Sequence, residues 1–335
     1  MPNFGRLLRE KNIIFVTLAL CVLFYLISPR FLSLDNMSAI SRQIVPIGLI
    51  ALGQYFVVVS GNIDLSMGMG SVLFAIVLGV FFGLTGGVAL GIVAVIVCSL
   101  ALGFFNGVLV AKLKLPAFIV TLAMLFSAQG LSGLIIPRGQ QIFLMGDFFR
   151  FIGAGKFMGL YWSFLFLVAL FVLAYVVYNH TRWGAYVIAI GNSEENARLA
   201  GIDVDRVKIG VFMFSALCSG LAGIVLSSRM GFVQPGLDGN GLLLDGIAAI
   251  IIGGTLILGG RGTIGGAFWG LLFIGVINNA LNLLNDTTYV EAARCFAEHL
   301  LRQPGSDADR LGQAFAMATC RPARQTEIDL LAKRL

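Results

Sequence analysis

The chain has 335 residues, 58% of them hydrophobic and 12% charged, with a formal net charge of +6. Soluble domains average about 25% charged and about 45–50% apolar residues. A mean hydropathy of +0.92 means more apolar surface than a water-soluble core could hide, which excludes a soluble enzyme or binding domain. The 23 Lys and Arg form no dense cluster, which argues against a nucleic-acid surface and fits loops facing anionic lipid.

A spanning helix needs about 20 mostly apolar residues. Residues 1–11 are basic and lead into a first apolar run, 13–28, which no small-x-small cleavage site closes. This run reads as a signal anchor. Eight further runs follow at 43–60, 66–84, 88–110, 116–136, 162–179, 208–228, 243–260 and 264–284. Pro116 suits the first turn of the fifth run. The 42 glycines allow close helix approach, as small residues do in membranes. The fold class expected is all-α, a polytopic bundle of about nine spans.

Orientation follows from the Lys and Arg of short loops. A cytoplasmic N-terminus places Arg6, Arg9, Lys11, Lys112, Lys114, Arg182, Arg198, Arg206, Lys208 and Arg261 inside. Arg30, Arg42, Arg138, Arg150, Lys156 and Arg229 then lie outside, a bias of ten to six. The 180–207 loop becomes cytoplasmic and the 137–161 segment external. Residues 287–335 change character and carry 13 charged side chains. They read as an atypical polar tail with helices at 290–301, 307–318 and 325–335, a fusion, truncation or assembly artefact beside a 1–286 membrane domain. Nine spans from a cytoplasmic start leave this tail outside.

Polar groups inside apolar runs are costly and usually face a bundle interior or a pathway. Candidate pathway residues are Gln54, Asn62, Asp64 and Ser66 around the second and third runs, Asn106 in the fourth, and Asn278 and Asn279 near the end of the ninth. For Asp64 or Ser66 the structural alternative is an N-cap of the third span. For Asn106 and Asn278 it is an interhelical hydrogen bond, typically worth about 0.6 kcal/mol. Asp64 and Asp245 are read at span edges, with no acidic residue mid-span.

The glycine-rich stretch from Gly253 to Gly266 lacks the Gly-Lys-Ser/Thr of a phosphate loop and reads as a tight turn between spans. With histidines only at 180 and 299, no catalytic, metal or nucleotide site is expected, and no cofactor in this chain. Cys21, Cys98, Cys218, Cys295 and Cys320 contain no C-x-x-C pair and read as small apolar residues, not disulfides or ligands.

Several stretches in order carry a resemblance. They are residues 51–68 (ALGQYFVVVSGNIDLSMG), Phe105-Asn106-Gly107 with 115–122 (LPAFIVTL), 181–184 (TRWG) with 189–192 (AIGN), 196–202 (NARLAGI), 244–249 (LDGIAA), the 253–262 glycines, and 278–284 (NNALNLL). With these the chain resembles the permeases of ribose-type (branched carbohydrate) ABC importers. The resemblance implies a subunit that moves a monosaccharide across the bacterial cytoplasmic membrane. ATP and Mg would be bound by a separate cytoplasmic ATPase. A periplasmic or lipid-anchored binding protein and a second permease copy, identical or related, complete the expected partners. It also implies that Glu194, Asn196, Ala197, Arg198, Gly201 and Ile202 belong to the helix that docks on the ATPase, with Glu195, Asp203 and Arg206 adding to a polar face. Residues 287–335 depart from the family, whose members continue into one more apolar span. The alternatives are a secondary transporter or channel without an ATPase, or a truncated non-transporting subunit.

Overall fold

In lipid no water satisfies the peptide groups, so a spanning segment closes its hydrogen bonds internally as a helix. A computed structural model of the chain has this character. It describes residues 4–137, 140–301, 306–319, 324, 325 and 328. The side chains of Arg6, Arg9, Lys11, Arg138, Cys295, His299 and Cys320, used in the sequence reading, lie outside the described residues. Cys21, Cys98 and Cys218 are free thiols.

The helices, in order, are α1 (Phe4–Ile27), α2 (Leu34–Val59), α3 (Met67–Thr85), α4 (Val88–Ala111), α5 (Ala117–Ile135), α6 (Asp147–Ala154), α7 (Trp162–His180), α8 (Arg182–Asn192), α9 (Glu194–Leu199), α10 (Val204–Met230), α11 (Gly239–Ile252), α12 (Ile264–Leu301) and α13 (Asp307–Thr319). A 3₁₀ turn, Pro29–Leu32, joins α1 to α2. Four two-residue strands complete the set: β1 (Ile142–Phe143), β2 (Lys156–Phe157), β3 (Leu160–Tyr161) and β4 (Phe232–Val233). β1 pairs antiparallel with β4, and β2 with β3.

Among the described residues, seven helical stretches are long and apolar enough to cross a membrane: α2, α3, α4, α5, α7, α10 and Ile264–Asn285 of α12. Asn12–Ile27 and α11 are shorter apolar helices. Each of the nine predicted runs therefore contains a helix, but the eighth needs correction. It was expected at 243–260 and is found at Gly239–Ile252, because the backbone breaks at Gly253 and enters the left-handed region at Gly254 (φ +87°). Fourteen residues rise about 21 Å, short of the ~30 Å hydrocarbon layer. The two long polar gaps hold structure of their own: 140–161 holds β1, α6, β2 and β3, and 180–207 holds α8 together with α9, which falls where the resemblance implied a docking helix.

Burial grades the helices. In α2, 89% of the spanning window is buried, and in α3 and α10 67%. In α4, α5 and α7 the figures are 22%, 28% and 28%, so these helices form the outer wall and present Val93, Val97, Phe118 and Val172 outward. α10 packs against α4, α2 and α3, and α11 against α2 and α3.

The chain divides into two compact units, Met1–Asn278 and Asn279–Leu335. In the second, the separate helix predicted at 290–301 is the end of α12, and the one predicted at 307–318 is α13. The third predicted helix, 325–335, lies outside the described residues except for Gln325 and Ile328.

Candidate translocation and coupling sites

α2 ends at Val59, and the chain turns back into the bundle before α3 begins at Met67. Gly53, within α2, abuts Met67 and Ser215, so the turn returns about six residues of helix, roughly 9 Å, into the interior. Asp64 is carried there and is 1% exposed. Its Oδ1 accepts the Ser66 N–H at 2.9 Å and the Ser66 hydroxyl at 2.5 Å, and its Oδ2 accepts the Ser215 hydroxyl of α10 at 2.7 Å. Asn106 of α4 donates to Ser66 Oγ at 3.2 Å. Thr121 of α5 reaches the Ile63 carbonyl at 3.3 Å, and Ser219 donates to the Met67 carbonyl at 2.6 Å. One carboxyl group thus fastens the turn to α10 and, through Ser66, to α4. Asp64 accepts the N–H of Ser66, two residues on, which is a turn bond before the helix, and Ser66, the N-cap residue of α3, makes no side-chain cap.

The structure therefore brings Asp64, Ser66 and Asn106 together and adds Ser215, which the sequence reading missed. Its only signal was a hydroxyl spaced four residues from Ser219 in an apolar helix. Asn62 lies on the same turn and donates to the Ser60 carbonyl at 3.1 Å. Gln54 is fully buried in α2, and neither of its amide atoms has a partner among the described residues; Asn106 Oδ1 is likewise unpaired. Asn278 stands apart and donates to Asp245 Oδ2 at 2.8 Å. Asp245 was read at a span edge; the corrected bounds of α11 place it mid-helix, partly exposed. Asn279 is buried, in the second unit.

Below the network three chain ends meet. The Gly260 N–H donates to the Val59 carbonyl at 2.8 Å. Gly191, in the last turn of α8, sits so close that a Cβ there would overlap that same carbonyl oxygen and Gly260 N. Asn192 reaches the Gly260 carbonyl at 3.5 Å. Aromatic rings reinforce the junction: Phe56 of α2 lies 5.2 Å from Trp183 of α8 and 5.1 Å from Phe214 of α10, and Tyr55 lies 5.3 Å from Tyr178. The Phe56–Phe214 and Tyr55–Tyr178 pairs are edge-on, an arrangement that adds about 0.5–1.5 kcal/mol each beyond buried area, and Phe56 and Trp183 are tilted at 40°. α8 is therefore bolted to the end of α2.

α9 follows directly. The Ser193 hydroxyl caps it by accepting the Asn196 N–H at 3.2 Å. Gly201 (φ +80°) turns the chain so that the Ile202 N–H reaches the Ala197 carbonyl at 3.0 Å, and Ala197 is buried. Lys208 of α10 pairs with Glu194 at 2.5 Å, and Arg198 pairs with Glu194 at 3.2 Å and Asp205 at 2.5 Å. Burial pushes the Glu194 carboxyl upward, but Lys208 and Arg198 outweigh this and hold it below the ordinary carboxylate range. Asp203 and Arg206 pair with each other at 2.9 Å. Part of the expected polar face is thus neutralised within the chain, leaving Glu195 and Leu199, the latter 83% exposed, facing outward.

Residues 36–296 match the family described as branched-chain amino acid transport system / permease component. The chain is 34% identical to the ribose import permease protein of Haemophilus influenzae, over 86% of this chain and 90% of that protein. It is 37% identical to the ribose import permease protein of Bacillus subtilis, over 81% and 84%, and 33% identical to the L-arabinose transport system permease protein of Escherichia coli, over 86% and 88%. No solved structure matches. The chain belongs to this permease family, with ribose- and arabinose-import permeases among its relatives, and is a polytopic helical membrane protein.

Proposed function

We propose that the chain is the membrane-spanning permease of an importer for a monosaccharide, driven by ATP hydrolysis in a separate cytoplasmic ATPase. The observation that carries this reading is the α8–α9 unit. It is a short capped helical handle outside the spans, clasped to the first turns of α10 and locked onto α2 through Gly191 and the Phe56–Trp183 rings. Force applied to α9 passes into α10, which carries Ser215 of the Asp64 network, and through α8 into α2, which leads into the 60–66 turn. The N-terminus and this handle are cytoplasmic. A second permease copy and an external sugar-binding protein complete the assembly. Both amide atoms of Gln54 and the Oδ1 of Asn106, buried and without partners among the described residues, supply hydrogen-bonding capacity along the path, since buried amides are normally satisfied.

A secondary transporter is favoured by one feature, the buried Asp64, because ion-coupled carriers keep ionisable groups in their spans. Uptake of labelled D-ribose and L-arabinose separates the two readings in cells expressing the chain with its ATPase and binding protein. The importer reading expects uptake that vanishes when the ATPase is inactivated and survives a protonophore while ATP is maintained. Uptake that survives ATPase loss and collapses with the protonophore overturns it.

A further inference from the structure

We infer that the space between α5 and the segment entering α11 is an outward-opening binding vestibule for an uncharged, hydroxyl-rich ring. This rests on the importer reading and names the residues that receive its cargo. Val233 pairs with Ile142 and lies against Gly79 of α3, whereas Gly239 abuts Gly68 of the same helix. From Gly79 to Gly68 is roughly 16 Å along α3 at about 1.5 Å per residue. The chain therefore descends that distance into the bundle through residues 234–238 without forming a helix. Among the described residues its turn-like bonds are Leu237 N–H to Gln234 O at 3.5 Å and Gly239 N–H to Leu237 O at 2.9 Å.

Non-helical backbone at membrane depth is stable only against protein or water. Leu237 takes the protein side, 8% exposed. Gly236, on the other side, is exposed and lines a cavity of about 720 Å³. That volume lies within the range of roughly 300–1,000 Å³ usual for small-molecule sites. Its chemistry is specific. Gln129 of α5, Gln140 and Gln234 line it together with Phe126. Each glutamine offers one carbonyl acceptor and two N–H donors, the complement of a sugar hydroxyl. None of the described lining residues is ionisable. The Phe126 ring, 61% exposed, gives an apolar face for ring C–H groups. Gly130 has open space where a Cβ would stand, so that turn of α5 leaves room for a ligand. An exposed amide such as Gln129 on a lipid-facing wall is disfavoured, which argues for water and cargo here.

The test uses the full assembly and two readouts. Gln129→Ala and Gln234→Ala are expected to raise the KM for uptake roughly five- to ten-fold, the loss of about one hydrogen bond, with kcat little changed. Gln129→Cys and Gln234→Cys are expected to react from outside with a membrane-impermeant maleimide, while Val172→Cys on the outer wall of α7 does not. Saturation with whichever of D-ribose and L-arabinose the importer transports is expected to slow both reactions. Unreactive cysteines in variants that still transport overturn the proposal. So do reaction rates indifferent to sugar, or an unchanged KM in both alanine variants. Absence of uptake by the unaltered assembly removes the importer reading itself, and this site with it.

Discussion

The Asp64 network and the Glu194 cluster are both built around one carboxyl group, yet their surroundings are opposite. Asp64 is 1% exposed and held by hydroxyl and amide donors, with no cation bonded to it among the described residues. The Glu194 and Arg198 side chains are each 42% exposed and share ion pairs with Lys208 and Asp205. Exposed ion pairs contribute about 0–1 kcal/mol each, while a buried polar group left unpaired costs about 1–3 kcal/mol. The first region therefore governs whether the bundle holds together. The second, under the proposed importer reading, is where a partner's movement would enter it.

The largest effect is expected from Asp64→Leu, which strips the Ser66 N–H and the Ser215 hydroxyl of their acceptor. Thermal unfolding in detergent should show a loss of about 3 kcal/mol or more, with Asp64→Asn milder; a leucine variant as stable as the parent would dissolve the contrast. Next comes Gly191→Val, whose side chain must displace the Val59 carbonyl. A cost of about 2–3 kcal/mol and loss of uptake are expected. Gly210→Ala, where the nearest atom stands 3.6 Å from a Cβ, should be neutral, and equal behaviour of the two would remove the junction's importance.

Gly201→Asp places a side chain at φ +80°, costing about 1–2 kcal/mol locally. It should leave ATP hydrolysis running while uptake falls, and unimpaired uptake would count against α9 as the docking helix. The smallest effect is the acid response of the α9–α10 clasp. The folded Glu194 carboxyl titrates below its ordinary value of 4.5. Its stabilisation is therefore complete above that value and fades as pH falls through the lower, folded one. The protection of the α9 amides, measured relative to intrinsic exchange at each pH, should fall on acidification below about pH 4.5 by well under 1 kcal/mol of opening energy, given its exposure, and Glu194→Gln should abolish the change.

Much of this was legible in the sequence because lipid allows few solutions. Apolar runs of spanning length became helices, and the polar breaks within them marked the 60–66 turn and the 253–263 loop. Other features depend on which helices meet. Ser215 looked like an ordinary hydroxyl until α10 was placed against Asp64. Asp245 seemed to sit at an edge because the apolar run continues through Ile257 and Leu258, beyond the Gly253 break. The descent of 234–238 carries no periodicity at all. Lys208 reads as a loop charge by composition, and only the fold shows it 8% exposed beneath α9.

The most direct test is sugar uptake by proteoliposomes containing the chain with its ATPase and binding protein, with ATP supplied only on the ATPase side. The account predicts accumulation that requires both ATP and the binding protein and ceases in the Gly201→Asp variant. Accumulation without ATP, or none in the intact assembly while ATP is hydrolysed, would contradict it.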